Sequence, residues 1–396
     1  MKFTNSAILA FATTALAAPS ATTPVKPRKA VAACSSAVTL DATTNIWQKY
    51  KLHANTYYRK EVEAAVSALT DSSLAAAAAS VADIGTFLWL DTIENIGKFE
   101  PAVADVPCEE ILGLVIYDLP GRDCAAKASN GELKVGEISK YKSQYIDPIV
   151  KLIKAHPNTA FALIIEPDSL PNLVTNSDKT ACKNSAAGYR DGVAYALKNL
   201  NLPNVIMYLD AGHGGWLGWD ANLKPGAQEL AKAYTAAGKP KQLRGIATNT
   251  AGWNQWDASP GEFSTASDAK YNKCQNEKIY VETFGAALKT AGMPNHAVVD
   301  TGRNGVSGLR AEWGDWCNVK GAGFGIRPTA DTGSSLADAF VWIKPGGESD
   351  GTSDSSANRY DSFCGKSDAF QPSPEAGTWN QAYFEELIQN AKPSLV

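Results

Sequence analysis

Long apolar runs, clustered basic residues, metal-ligand spacings and N-glycosylation triplets are all missing from the body of this 396-residue sequence. Beyond the N-terminus no segment approaches the roughly 18 uncharged apolar residues that a bilayer crossing needs, so no membrane partner is expected. The formal net charge of −4 is spread out, and the basic stretch at 26–29 is short. A nucleic-acid partner needs a clustered basic face to neutralise phosphates, and is excluded on that ground. Histidine is scarce. His53, His156, His213 and His296 lie far apart, with none of the spacings of a zinc site, so no metal or other cofactor is expected. The absence of any Asn-x-Ser/Thr triplet excludes N-glycosylation.

What is present begins with an export signal. Lys2 supplies the positive start, 8–16 is apolar, and the small residues at 15–18 offer cleavage positions, so 1–18 reads as a signal peptide. A Pro-, Thr- and Lys-rich leader follows at 19–40, and 41–396 is expected to form one domain, acting as a monomer. A secreted, extracellular protein can form disulfides, and the odd count of seven cysteines leaves at least one unpaired.

From about residue 40 short apolar runs alternate with longer helix-like segments, the pattern of parallel βα units. The runs are 86–90, 112–117, 161–165, 205–209, 243–247, 297–299 and 340–343. Helical stretches cover 58–81, 185–199, 227–237 and 276–290, with Gly238 and Gly292 as natural stops. The fold class is therefore α/β, and the runs suit one barrel-like sheet better than two small domains. At the run ends stand Asp91, Asp118, Glu166 with Asp168, Asp210, Asn249, Asp300 and Lys344. Any one of these could be a turn residue. In a parallel barrel, however, all strand ends gather at the face where active sites lie, so together they predict a carboxylate-rich cleft.

Ten tryptophans are the compositional surplus. Trp89 lies in the first run; Trp216 and Trp219 follow Asp210, Trp253 and Trp256 follow Asn249, and Trp313 and Trp316 follow Asp300. A broad indole covers the apolar face of a pyranose while neighbouring carboxylates take its hydroxyls, so the pattern reads as a sugar-binding groove. Trp47, Trp342 and Trp379 read as core.

Breaking a glycosidic bond needs a protonated carboxyl for the leaving oxygen and a route for the proton of the attacking water. Asp168 sits just past a very apolar strand, where partial burial disfavours the carboxylate and keeps the acid protonated. Asp123, in the loop after 112–117, raises that acid further by repulsion if the two approach. Asp350, arriving with Lys344 and Glu348, is a third candidate.

The segments 117–124, 165–170, 208–219, 314–328 and 342–354 closely resemble glycoside hydrolase family 6 in the family's order, and the likeness runs from about residue 86 to the C-terminus. The resemblance implies a distorted seven-stranded, TIM-like β/α barrel with tunnel-forming surface loops. It also implies cellulose and cello-oligosaccharides as substrate, and inversion at the anomeric carbon. It makes Asp168 the general acid, Asp123 the aspartate that supports its protonation and organises water, and Ser129 the serine that binds the attacking water. Tyr117 and Arg122 match residues near the scissile sugar. Asp350 matches the proposed base, although the proton can leave along a water chain instead. Trp89, Trp216 and Trp316 match sugar-stacking positions, and Lys344 and Glu348 hydroxyl-binding ones; Asp91, Asp210, His213 and Asn249 are placed with the substrate-binding set. Gly121 replaces an acid common in relatives, and Ser349 stands where some members have cysteine. Cys124–Cys182 and Cys317–Cys364 match the family's two disulfides; Cys34–Cys108 is expected as a third, with Cys274 free.

About thirty residues separate Lys344 from a final helix near Thr378, and structureless connections of that length are usually functional. In the family such a loop roofs a tunnel that restricts cleavage to chain ends, so the expectation is a cellobiohydrolase acting from non-reducing ends. An open-cleft endoglucanase and a non-catalytic carbohydrate-binding protein are the alternatives. No cellulose-binding module is visible, which predicts weak retention on crystalline cellulose.

Overall fold

The computed structural model describes residue 32 and residues 34–396. The expected signal peptide and most of the leader lie outside the described residues. Runs rich in Val, Ile and Leu become strands because branched side chains pack well on a pleated sheet, and burial on both faces lets them be apolar almost throughout. The strands are β1 (Lys51–Leu52), β2 (Leu88–Leu90), β3 (Glu110–Ile116), β4 (Ala160–Ile165), β5 (Val205–Asp210), β6 (Leu243–Thr248), β7 (His296–Asp300) and β8 (Ala337–Val341). All pairings are parallel, in the order β1-β3-β4-β5-β6-β7-β8, with β2 also on β3. β1 pairs with the start of β3 and β2 with its end, so these short strands share one place and the sheet has the seven positions expected. Phe87 N–H donates to Trp342 O at 3.1 Å, which brings the two edges together into a nearly closed barrel.

The pleat divides the core. In β4, Phe161, Leu163 and Ile165 face the helical layer, while Ala160, Ala162 and Ile164 face the barrel interior. The interior is tight: a Cβ at Gly113 would meet the Phe87 ring at 2.8 Å. Near the strand starts Arg244 Nε and Nη2 each donate to Asp338 at 2.8 Å, and Tyr208 Oη donates to the same carboxylate at 2.9 Å. Trp47 Nε1 donates to Tyr208 Oη at 3.1 Å, so Trp47 is a core residue, as expected. The chemistry is thereby left to the other mouth.

The helix expected over 58–81 is two, Thr56–Ser67 and Ala75–Val81, because Asp71 caps a short intervening turn. Cys34–Cys108, Cys124–Cys182 and Cys317–Cys364 are bonded, and Cys274 is free and buried, as expected. The Cys124–Cys182 bridge spans 58 residues next to Asp123; loop-closure entropy of that size contributes about 4 kcal/mol.

Candidate active site

At the carboxyl ends of the strands the backbone turns sharply. Glu166 and Asp168, just beyond β4, have φ of 48° and 59°, and Asp123 beyond β3 has φ of 55°. The left-handed region costs a non-glycine residue about 1–2 kcal/mol, so such residues persist only where their surroundings hold them. Here Asn172 Nδ2 donates to Asp168 O at 2.6 Å, Ser169 Oγ donates to Glu166 O at 2.6 Å, and Asp168 N–H donates to Asp210 Oδ2 at 3.2 Å. The result directs the Asp168 carboxyl into a cavity of about 520 Å³ that it lines with Asp123, Asp210 and Asp350.

Burial pushes Asp168 up to about 7, with the Asp210 carboxylate the next cause, opposed by the Tyr117 hydroxyl. Tyr117 Oη lies 3.4 Å from Asp168 Oδ2. Burial also raises Asp123 to about 8, with Asp168 the next cause, and raises Asp210 to about 7, against the N–H groups of Gly212 and Asp168. The sequence pointed to Asp123 as the neighbour that keeps Asp168 protonated. Asp123 and Asp168 do repel each other, and Asp210, bonded to the Asp168 backbone, adds to that repulsion. Three carboxyls on adjacent strand ends thus favour sharing protons over ionising together.

Around them the expected set assembles. Arg122 lies over the Tyr117 ring at 4.3 Å and donates to Ser129 O (2.8 Å), Asp91 O and Tyr117 O (both 2.5 Å). It therefore fixes three cleft residues at once. Trp89 meets Tyr117 edge-on at 5.2 Å, donates Nε1 to Ile343 O at 2.9 Å, and has Lys344 Nζ at 5.7 Å from its ring. Lys344 pairs with Glu348 at 3.5 Å. Trp216 is held by Thr175 Oγ1 at 2.7 Å, and Trp219 meets Trp313 at 5.4 Å. Trp316 and His213 also line the cavity.

Other expected members are elsewhere. Asn249 is fully buried: its Nδ2 donates to Asn254 O and Asp300 O at 3.0 and 2.9 Å, so it clamps loops and does not reach substrate. Asp300 turns beneath the floor and accepts N–H groups from Ala251, Gly302, Ile343 and Lys344. Asp118 and Glu166 are buried below Arg122. Trp256 packs on Phe340 in the core. Conversely, the sequence missed Arg303, which is fully buried and binds both oxygens of Asp350 at 2.9 Å. It also missed Glu61, raised to about 8 by burial and then by Glu348. Arg303 was findable, since it stands three residues after Asp300 in a strand-end loop. Glu61 gave no signal, being an acid within a helix.

Two loops meet above the cavity. Lys127 N–H donates to Asp361 Oδ2 at 2.9 Å, and Ala128 packs against the Cys317–Cys364 disulfide. The loop after β3 and the long loop after Lys344 are therefore joined at the cavity, which both help to line.

The sequence pattern described as Glycosyl hydrolases family 6 matches residues 47–391. The chain belongs to that family. It is 73% identical to the 1,4-beta-D-glucan cellobiohydrolase CEL6C of Podospora anserina, over 100% of both chains. It is 51% identical to Exoglucanase 3 of Agaricus bisporus, over 86% of this chain and 77% of that one. Among solved structures, cellobiohydrolase II (Cel6A) from Humicola insolens, in complex with glucose and cellotetraose, superposes with a TM-score of 0.83 at 45% identity, covering 89% of this chain and 100% of that one.

One consequence for a family 6 chain with this many buried acids is thermodynamic. Burial raises Asp118 and Asp123 to about 8 and Glu166, Asp168, Asp210 and Glu277 to about 7. Between about pH 4 and 8 the folded state then binds more protons than the unfolded chain, so stability falls as pH rises. The thermal midpoint should be higher at pH 5 than at pH 8. A midpoint that is flat or rises over that interval would mean that these acids ionise in the fold without penalty.

Proposed function

We propose that this chain hydrolyses β-1,4-glucosidic bonds in cellulose and cello-oligosaccharides with inversion, releasing cellobiose from non-reducing ends. The carrying observation is Asp168. It is a carboxyl raised to about 7 by burial, with Tyr117 at 3.4 Å, inside a tryptophan-lined cavity. A protonated carboxyl so placed gives its proton to the glycosidic oxygen as the bond to the sugar breaks. Trp89, Trp216 and Trp316 stack the glucosyl rings, and Lys344, Glu348 and Asp91 take hydroxyls. Ser129, hydrogen-bonded to Asp123 and held through its carbonyl by Arg122, binds the water that attacks from the opposite face.

The joined loops favour exo action, because a glucan that passes beneath them must enter by its end. The three disulfides fit an oxidising compartment, in keeping with secretion through a signal peptide at 1–18, a leader at 19–40 and a monomeric catalytic domain at 41–396.

With cellohexaose, cellobiose should dominate early and appear as the α-anomer by NMR, and carboxymethylcellulose viscosity should fall slowly. Asp361→Ala removes the acceptor that ties these loops together. It should raise the share of insoluble reducing ends from amorphous cellulose several-fold while cellohexaose turnover stays within about threefold. A steep viscosity loss in the unaltered protein would make it an endoglucanase, and a β-anomer would exclude inversion.

A further inference from the structure

His213, placed with the substrate-binding set by resemblance, lines the cavity beside Trp216, with ring centroids 6.1 Å apart, and which of its nitrogens carries the proton is still open. Its surroundings decide that. Arg310, almost wholly buried, is gripped by Glu262 through Nε at 3.1 Å and Nη2 at 2.5 Å, and Nη2 also donates to Asn254 Oδ1 at 2.7 Å. A guanidinium has no acceptor, so the Asn254 amide can present only its oxygen to it. Both amide hydrogens then face the other way, one to Glu277 Oε1 at 2.8 Å and one to His213 Nδ1 at 3.2 Å. Gly215 N–H also donates to Nδ1, at 3.1 Å. With two donors on Nδ1, the ring proton belongs on Nε2. Among the described residues no hydrogen bond reaches Nε2.

The same hub fixes the ring's position. Glu277 Oε1 accepts the N–H of Gly214 at 2.8 Å, and a Cβ on Gly214 would meet Cys274 O at 2.7 Å. The segment carrying both His213 and Trp216 is thus pinned against the helix Glu277–Thr290. Burial, and then the charge of Arg310, push His213 down to about 3.

We propose that Arg310, acting through the Asn254 amide, is a positioning residue that holds His213 in a single tautomer, with Nε2–H aimed as a donor at a hydroxyl of the bound glucan. The inference rests on the glucan reading of the cavity, but its first test does not. Imidazole ¹⁵N NMR of the full chain reports the tautomer directly, and only four histidines need assigning. The wild type should show unprotonated Nδ1 and protonated Nε2 for His213, with no titration between pH 4.5 and 8. In Arg310→Met the amide can turn its oxygen toward Nδ1 in competition with the Gly215 N–H, and His213 should show mixed tautomers. KM for cellohexaose should rise about 3–10-fold, the size of one lost hydrogen bond, with kcat within about twofold. Glu262→Gln keeps Arg310 and Asn254, and should leave both nitrogen signals in place even if it loosens the loop. If Arg310→Met does not fold, Asn254→Ser carries the test with the same expected change. Protonated Nδ1 in the wild type, or unchanged His213 signals in Arg310→Met or Asn254→Ser, overturns the proposal. Failure to cleave cellohexaose would instead overturn the glucan reading and leave the tautomer result standing.

Discussion

Asp168→Asn should lose roughly 10²–10⁴-fold in kcat on cello-oligosaccharides, the span that removal of a placed general acid produces. Asparagine is the informative substitution because Asp168 sits at φ 59°, a conformation that asparagine tolerates better than most residues. The turn beyond β4 should survive, and the loss should be one of chemistry. Two further readouts make this specific. A cellobioside whose leaving group needs no proton should keep most of its rate in the variant. In the wild type kcat should fall as pH rises through about 7, because Asp168 loses its proton there, and the variant should lack that limb. Equal losses on both substrates would point to collapse of the site, and an active variant would mean that the acid lies elsewhere.

The barrel was legible because it follows from simple periodicities. Apolar runs at β3 to β8, helices between them and polar residues at their ends require only that strands be buried on both faces. Less legible was which strand-end side chain turns up and which turns under. Asp210 and Asp300 each close a strand, yet the first lines the cavity and the second is spent on four backbone N–H groups. Spacing along the chain does not encode that choice; loop backbone does, as the left-handed turns at Asp123, Asp168 and Asn249 show. Charge partners distant in sequence were likewise hidden. Arg303 and Asp350 lie 47 residues apart, and Glu61 meets Glu348 only after the barrel has brought its edges together. Trp256 and Trp316 look alike in sequence, since each follows a strand end, but one fills the core and the other faces the cavity.

The Arg303–Asp350 pair bears on how the attacking water loses its proton. Asp350→Ala should destabilise the fold by about 3–5 kcal/mol, the cost of leaving one partner of a buried ion pair uncompensated. Arg303 has no exposed side-chain surface, its Nε has no hydrogen-bond partner among the described residues, and its guanidinium lies 4.1 Å from the centre of the Trp253 ring. Both Asp350 oxygens accept from Arg303 Nη1 at 2.9 Å, and Oδ2 also accepts the Asn318 N–H at 2.8 Å. A base must receive a proton on one of these oxygens, which would weaken an ion pair in a poorly solvated site. That geometry suits a charge partner that shapes the loop after Lys344 better than a proton acceptor, and it favours the alternative in which the proton leaves along a water chain. Azide should then fail to restore turnover in Asp350→Ala. Arg303→Met combined with Asp350→Leu should recover most of the stability lost in the single variant, measured by urea unfolding, because no charge is left stranded. Azide rescue with an α-glycosyl azide product would make Asp350 the base, since an anion would then be attacking from the side where the carboxylate would activate water.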